Sequence, residues 1–203
     1  MNALAALLPA LPPVLGWAVH ARWLHGRLNT ARRDPLTGLW TREAFTRRAR
    51  RLLRDPRAVV ILADVDHFKQ VNDVHGHATG DALLAAVAAR LAHGTTPGGV
   101  AGRLGGDEFA AVLVDHDGTA ADRLHTLARV LARPLDNAPD VHTTVSLGWV
   151  RAVDHPGEDL SALLRRADQA MYAAKRSGPL RAVRLGWLLG SVAGRRPGRR
   201  GAA

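Results

Sequence analysis

The chain has 203 residues, enough for one domain of ordinary size with its own core and short flanks, and it contains no cysteine. That absence excludes a disulfide framework, a thiol nucleophile and a cysteine-ligated zinc site, and it fits a reducing cytosol. The formal charge of +10 invites a nucleic-acid groove, but residues 1–33 and 179–203 hold ten arginines and no acid, leaving residues 34–178 balanced at 18 basic and 18 acidic groups, so nucleic acid is not the expected partner.

Residues 1–33 form an apolar leader and a short helical stalk. No Asp, Glu, Lys or Arg occurs in residues 1–21, and residues 3–19 are mostly apolar, interrupted by Pro9, Pro12 and Pro13. A span needs about 20 apolar residues and proline breaks helical hydrogen bonding, so residues 3–19 fit either a membrane anchor of marginal length or a frayed apolar leader. No basic segment precedes them, which argues against a cleaved signal peptide. The arginines that follow would hold the downstream domain in the cytoplasm if the segment inserts. From Trp17, the positions Ala21, Leu24, Leu28 and Ala31 advance at coiled-coil spacing, although Gly26 weakens the seam. A dimerising stalk and an amphipathic helix packed on its own domain both fit that pattern.

A turn at Thr37-Gly38 precedes a helix over residues 41–53, which places Phe45, Ala49 and Leu52 on one face and stops before Asp55-Pro56. The uninterrupted apolar run over residues 58–65 predicts a strand buried on both sides. A short helix starts over residues 67–72, a loop is expected over residues 73–79, and an alanine-rich helix over residues 80–91. Hairpin arms at residues 100–104 and 109–114 flank Gly105 and Gly106. A helix over 119–131, a strand over 142–150 and a helix over 160–176 complete the body. Mixed elements in this order predict an α+β fold. Residues 179–203 form a basic, partly disordered tail.

Two carboxylate clusters stand at predicted strand ends. Asp64-Val65-Asp66 closes the apolar run, and Leu104-Gly105-Gly106-Asp107-Glu108-Phe109 sets two acids on a tight glycine turn where a ligand can approach the backbone. Such clusters suit Mg²⁺ and phosphates. Lys69 and Lys175 are the chain's only lysines among 28 basic residues. A compact ammonium donates to phosphate as a point charge, where guanidinium is a wide fork.

Six ordered blocks carry a resemblance to the GGDEF family of diguanylate cyclases. They are Asp34-Pro35-Leu36-Thr37-Gly38-Leu39, the run from Asp64 to Asp73, Gly76-His77 with Gly80-Asp81, Arg103 to Phe109, Val145-Ser146-Leu147-Gly148, and Ala167 to Lys175. One hexapeptide would be a weak signal; six in order over residues 34–178 are a strong one. The resemblance implies a fold like that of nucleotidyl cyclases and polymerase palms, with a central, mostly antiparallel sheet wrapped by helices. It makes residues 34–178 the catalytic domain, working as a homodimer on GTP with Mg²⁺, or Mn²⁺ in its place. Asp64 and Asp107 would bind metal through carboxylates and Val65 through its carbonyl. Asp107 would assist deprotonation of the attacking hydroxyl, with Glu108 beside it. Asn72 and Asp81 occupy the guanine-reading positions, and Phe68, Lys69, Gly105, Gly106 and Lys175 complete the substrate site. Phe68 reads as a core residue on its own pattern, and His75 and His77 as loop hydrogen-bonders.

The departures are specific. Thr41 stands where the family usually has asparagine. After Lys175 the family normally reads Gly-Arg-Asn, and this chain reads Gly178-Pro179-Leu180, so a phosphate-binding arginine is missing and weaker triphosphate binding is expected. The family's Arg-X-X-Asp product-inhibition site falls on Thr96-Pro97-Gly98-Gly99, which has neither the arginine nor the aspartate, and no feedback inhibition is expected there.

Overall fold

The computed structural model describes residues 32–177 apart from Asn137 and His142. The proposed stalk, the segment at residues 3–19, Pro179 and the basic tail lie outside the described residues. In chain order the elements are β1 (Trp40–Thr41), α1 (Arg42–Leu52), β2 (Ala58–Val65), α2 (Phe68–His75), α3 (His77–Gly94), β3 (Val100–Gly105), β4 (Glu108–Val114), α4 (Ala120–Leu131), β5 (Val145–Arg151) and α5 (Leu160–Ser177), with a 3₁₀ turn at Ala152–Asp154 before α5.

The five strands form one sheet in the order β1-β3-β4-β2-β5. Only the two-residue β1 runs parallel to its neighbour, and the other three pairings are antiparallel. The mostly antiparallel α+β architecture expected from the sequence is therefore present.

β2 explains its own composition. Side chains alternate across a strand, so a run that is apolar throughout needs two buried faces. Val59, Ile61, Ala63 and Val65 join a core with Leu83, Leu84, Val87, Leu91 and Leu124 from α3 and α4. Ala58, Val60 and Leu62 join a second core with Phe45 and Ala49 from α1 and Leu163, Ala167 and Met171 from α5. Two helical layers thus sandwich the sheet, and burying each large apolar side chain contributes roughly 1.5–3 kcal/mol.

The helices follow from local signals. In α1, Glu43 lies in the first turn and Arg50 and Arg51 in the last, matching the helix dipole, while Ala44, Phe45 and Ala49 are buried. In α4, Ala120, Leu124, Leu127 and Leu131 are buried at helical spacing.

The loop expected over residues 73–79 is corrected to helix: α2 runs to His75 and α3 begins at His77, with Gly76 alone between them. Gly76 has φ +83°, which lets one residue redirect the chain where a longer loop would otherwise be needed. The polar composition around it resembles a loop only because α2 buries a single residue, Val71.

Gly148 of β5 sets how closely α5 packs. A Cβ there would lie 1.9 Å from the Ala167 carbonyl oxygen and 2.5 Å from the Met171 nitrogen, so α5 rests its backbone directly on the strand.

Candidate active site

Sheet register brings the two acidic clusters together. Asp64 pairs with Glu108 on β4 and with Ser146 on β5, at one end of the sheet. The Val65 amide donates to the Asp107 carbonyl at 3.3 Å. Asp64 and Asp107, 43 positions apart in sequence, therefore stand at neighbouring strand ends. Among the described residues no three His, Asp or Glu side chains converge as a ready-made metal cage.

The glycine turn is held from outside. Gly106 has φ +45°, in the left-handed region where glycine is favoured. Arg103 donates through Nε and Nη2 to the Gly106 carbonyl at 2.9 and 2.7 Å, and through Nη1 to Asp34 at 3.1 Å. Arg42, at the start of α1, donates through Nε to the Leu104 carbonyl at 2.8 Å. Two arginines thus fasten carbonyls on either side of Gly105. Asp34 also accepts from the Thr37 amide at 2.8 Å and the Thr37 hydroxyl at 2.6 Å.

Burial would raise the Asp34 pKa, but the Thr37 bonds and the Arg103 guanidinium outweigh it and hold the carboxyl below its ordinary value of 3.8. A carboxylate depressed in the folded state adds stability that is present above 3.8 and disappears as the pH falls through the lower folded value. Arg103→Ala is expected to lower the melting temperature at pH 7 by several degrees, the loss of charged hydrogen bonds being worth about 1.5–3 kcal/mol. The deficit should shrink as Asp34 protonates in acid. A deficit that stays constant in melts from neutral to acid pH would remove Asp34 from the account.

Lys175 closes the acidic cluster. Its Nζ donates to Asp64 Oδ1 at 2.5 Å and lies 3.4 Å from Asp66 Oδ1. Burial would lower the pKa of this ammonium, and the two carboxylates more than offset that, raising it above the usual lysine value. Asp66 is itself fixed by the Thr144 hydroxyl at 2.6 Å and the Ser146 hydroxyl at 2.7 Å. The donors here are oxygen only, and Asp64 already accommodates a cation. That set fits Mg²⁺, which binds through one or two carboxylates and takes its remaining ligands from water and phosphates.

The residues expected to face a nucleotide start from the same strand end, because α2 leaves β2 after a short turn. His67 takes φ +56° there. The first amides of a helix, here those of Phe68 and Lys69, have no acceptor in their own helix and suit phosphate oxygens. Lys69 is exposed, Phe68 is partly buried against the core, and Asp81 is exposed on α3. Asn72 lies on α2 against Gly80 of α3. A groove of about 550 Å³ flanks α2, lined by residues that include Asp66, His67, Val74, His75 and Thr143, and it contains none of Asp64, Asn72, Asp81 or Asp107. His75 offers its carbonyl to the Thr79 hydroxyl, and His77 opens α3, so neither lies in the expected loop.

Sequence reasoning missed Arg42, Thr144 and Ser146 and gave Arg103 no role. Arg103 and Ser146 lie inside motif blocks, which was a usable signal. Arg42 and Thr144 act through contacts 62 and 78 positions away, and no local pattern marks them.

The sequence matches the family described as "Diguanylate cyclase, GGDEF domain" over residues 31–181. It is 48% identical over 167 residues to an uncharacterized 19.3 kDa protein of Streptomyces ambofaciens, covering 81% of this chain and 90% of that protein. It is 36% identical to diguanylate cyclase DgcN of Escherichia coli strain K12, covering 77% of this chain but only 40% of DgcN. The coiled coil and GGDEF domain of DgcB from Caulobacter crescentus, solved in complex with c-di-GMP, superposes with a TM-score of 0.70 at 29% identity, covering 88% of this chain and 96% of that one. With the acidic strand ends, the glycine turn and the fold agreeing, the chain belongs to the GGDEF family of diguanylate cyclase domains.

Proposed function

We propose that the chain is an active diguanylate cyclase, joining two GTP molecules into cyclic di-GMP with release of two pyrophosphates, as a symmetric dimer. The observation that carries this reading is the register placing Asp64 beside Glu108, with Asp107 in the adjoining turn. In each half-reaction the 3′ hydroxyl oxygen of one GTP bonds to the α-phosphorus of the other. The α–β phosphoanhydride bond breaks, and its electron pair leaves with pyrophosphate. Asp107 accepts the hydroxyl proton, with Glu108 beside it.

Asp64 and Asp107 carboxylates and the Val65 carbonyl would hold Mg²⁺, or Mn²⁺, which when bound neutralises phosphate charge and lowers the hydroxyl's pKa. Lys69, Lys175 and the α2 amides bind the triphosphate, and the bare backbone of Gly105 and Gly106 admits it. Phe68 backs the base site, and Asn72 and Asp81 read guanine. Two-fold symmetry supplies proximity, because each subunit presents one nucleotide to the other. Residues 34–178 are the catalytic domain, residues 1–33 the stalk and residues 179–203 a basic tail. Among the described residues no helix is long and apolar enough to cross a membrane, and residues 3–19 are the candidate anchor of a cytoplasmic domain.

One sequence feature favours a second reading, a catalytically weak GTP-binding regulatory or interaction module: Pro179 replaces the expected phosphate-binding arginine. Incubating the protein with GTP and Mg²⁺ beside Asp107→Ala separates the two. Cyclic di-GMP from the parent chain, none from the variant and none after chelation is expected; GTP binding without product at any protein concentration selects the module. Added cyclic di-GMP should not inhibit through the Thr96–Gly99 surface. A Cβ on Gly99 would lie 2.2 Å from the Thr95 carbonyl oxygen, so the inhibitory aspartate has no room at that position.

A further inference from the structure

Asn72 Oδ1 is buried without a hydrogen-bond partner, and among the described residues no other side-chain oxygen or nitrogen is so placed. An orphaned buried acceptor is unfavourable and calls for a cause. The cause lies on the facing helix. A Cβ built on Gly80 would lie 1.9 Å from Asn72 Oδ1, 3.0 Å from its Cγ and 3.2 Å from Phe68 Cε2. Gly80 sits inside α3 and not at a left-handed turn, so its backbone makes no demand for glycine. Helix propensity alone would favour alanine. Space against Asn72 is what requires glycine.

The same contact fixes which way the amide points. Gly80 offers Cα–H groups, which can face a carbonyl oxygen as a weak hydrogen bond. An amino group turned inward would set its hydrogens against them. Oδ1 therefore points at α3, and Nδ2, which is not among the buried unpartnered atoms, is the group left for a ligand. Asp81, the next residue along α3, is exposed and accepts hydrogen bonds when ionised.

We propose that Gly80 is a positioning residue for base recognition, its bare backbone locking the Asn72 amide so that Asn72 presents a hydrogen-bond donor to the base. This rests on the guanine-nucleotide reading of the site. One donor from Asn72 and one carboxylate from Asp81 complement a base edge carrying an acceptor beside an N–H pair. Guanine has that edge and adenine does not.

The test uses calorimetric binding of a non-reacting GTP analogue, α,β-methylene-GTP with Mg²⁺, and thermal melting of the full chain. Gly80→Ala should bind about tenfold more weakly, as for one lost hydrogen bond, and melt lower, against the direction of helix propensity. The Gly80→Ala/Asn72→Ala double variant should bind like Asn72→Ala alone and melt at or above it, since both Asn72 atoms struck by the new Cβ are gone, Phe68 Cε2 at 3.2 Å need give only slightly, and alanine's helix propensity is then free to act. Asn72→Asp should bind more weakly than Asn72→Ala, because it sets an acceptor against an acceptor. Higher melting of Gly80→Ala with affinity kept, penalties that add in the double variant, or Asn72→Asp binding like the parent would each overturn the proposal. If Gly80→Ala does not fold, recovery of folding in the double variant supports it, and an unfolded double variant overturns it. A parent chain that binds the analogue but makes no cyclic di-GMP refutes the cyclase reading and leaves this arrangement standing. One that binds no guanine nucleotide refutes both.

Discussion

Asp64→Asn is expected to reduce cyclic di-GMP formation by about a thousandfold or more while leaving the fold intact. The substitution keeps the shape of the side chain and removes one negative charge. In the proposed mechanism that charge holds the cation which neutralises the triphosphate, a contribution of several kcal/mol, and each ~1.4 kcal/mol is a factor of ten in rate. Stability should respond far less. The Asp64 and Lys175 side chains are 20% and 35% exposed, and partly solvated pairs of this kind contribute about 0–1 kcal/mol. Lys175 also keeps Asp66 within 3.4 Å. Turnover measured beside melting temperature separates the effects: a rate within tenfold of the parent would remove Asp64 from the metal site, and a large fall in melting temperature would make it a structural residue. The neutral variant also withdraws one of the two carboxylates that raise the Lys175 pKa. The stability this lysine contributes, present below its ordinary pKa of 10.5 and lost as the pH rises through the higher folded value, should then end at lower alkaline pH in the variant.

Gly148→Ala is expected to be strongly destabilising. Its Cβ would meet the Ala167 carbonyl at 1.9 Å and the Met171 nitrogen at 2.5 Å, and helix backbone cannot step aside as a side-chain tip can. α5 has to lift off β5, loosening Leu160, Leu163, Ala167 and Met171 from their core. Overpacking of this kind typically costs about 1–3 kcal/mol, a fall of roughly 2–12 °C in melting temperature for a chain of this size. Activity should fall further than stability, since Lys175 lies about one helical turn beyond Met171 and depends on the seating of α5 to reach Asp64. Melting temperature and turnover both near those of the parent would show that α5 does not depend on the contact.

Why some of this was legible and some was not follows from how far each cause reaches along the chain. The strand at residues 58–65 announced its two buried faces because every position along it is apolar. The turn at Gly105-Gly106 was visible because glycine reports a local backbone need. The meeting of Asp64 and Asp107 was not visible in spacing alone; it was implied by likeness to a family, and the register that pairs Asp64 with Glu108 supplies the physical reason. Gly76 misled because a glycine in polar sequence signals a loop, whereas here one residue joins two helices. β1 escaped notice because two residues carry no periodicity, and its parallel partner lies about sixty positions away. The hydroxyls that fix Asp66 come from Thr144 and Ser146, residues that would suit any strand entry.

The seating of Lys175 between Asp64 and Asp66 also has a covalent side. A chain with only two lysines offers acylating reagents very few side-chain amines, and the two differ as nucleophiles. Lys69 stands exposed on α2, while the carboxylates around Lys175 favour its protonated, unreactive form. Acylation that did reach Lys175 would erase its charge and leave Asp64 and Asp66 facing each other without a cation between them. A single acyl group, added far along the chain from the glycine turn, would thereby act on the end of the sheet where Asp64 and Glu108 pair.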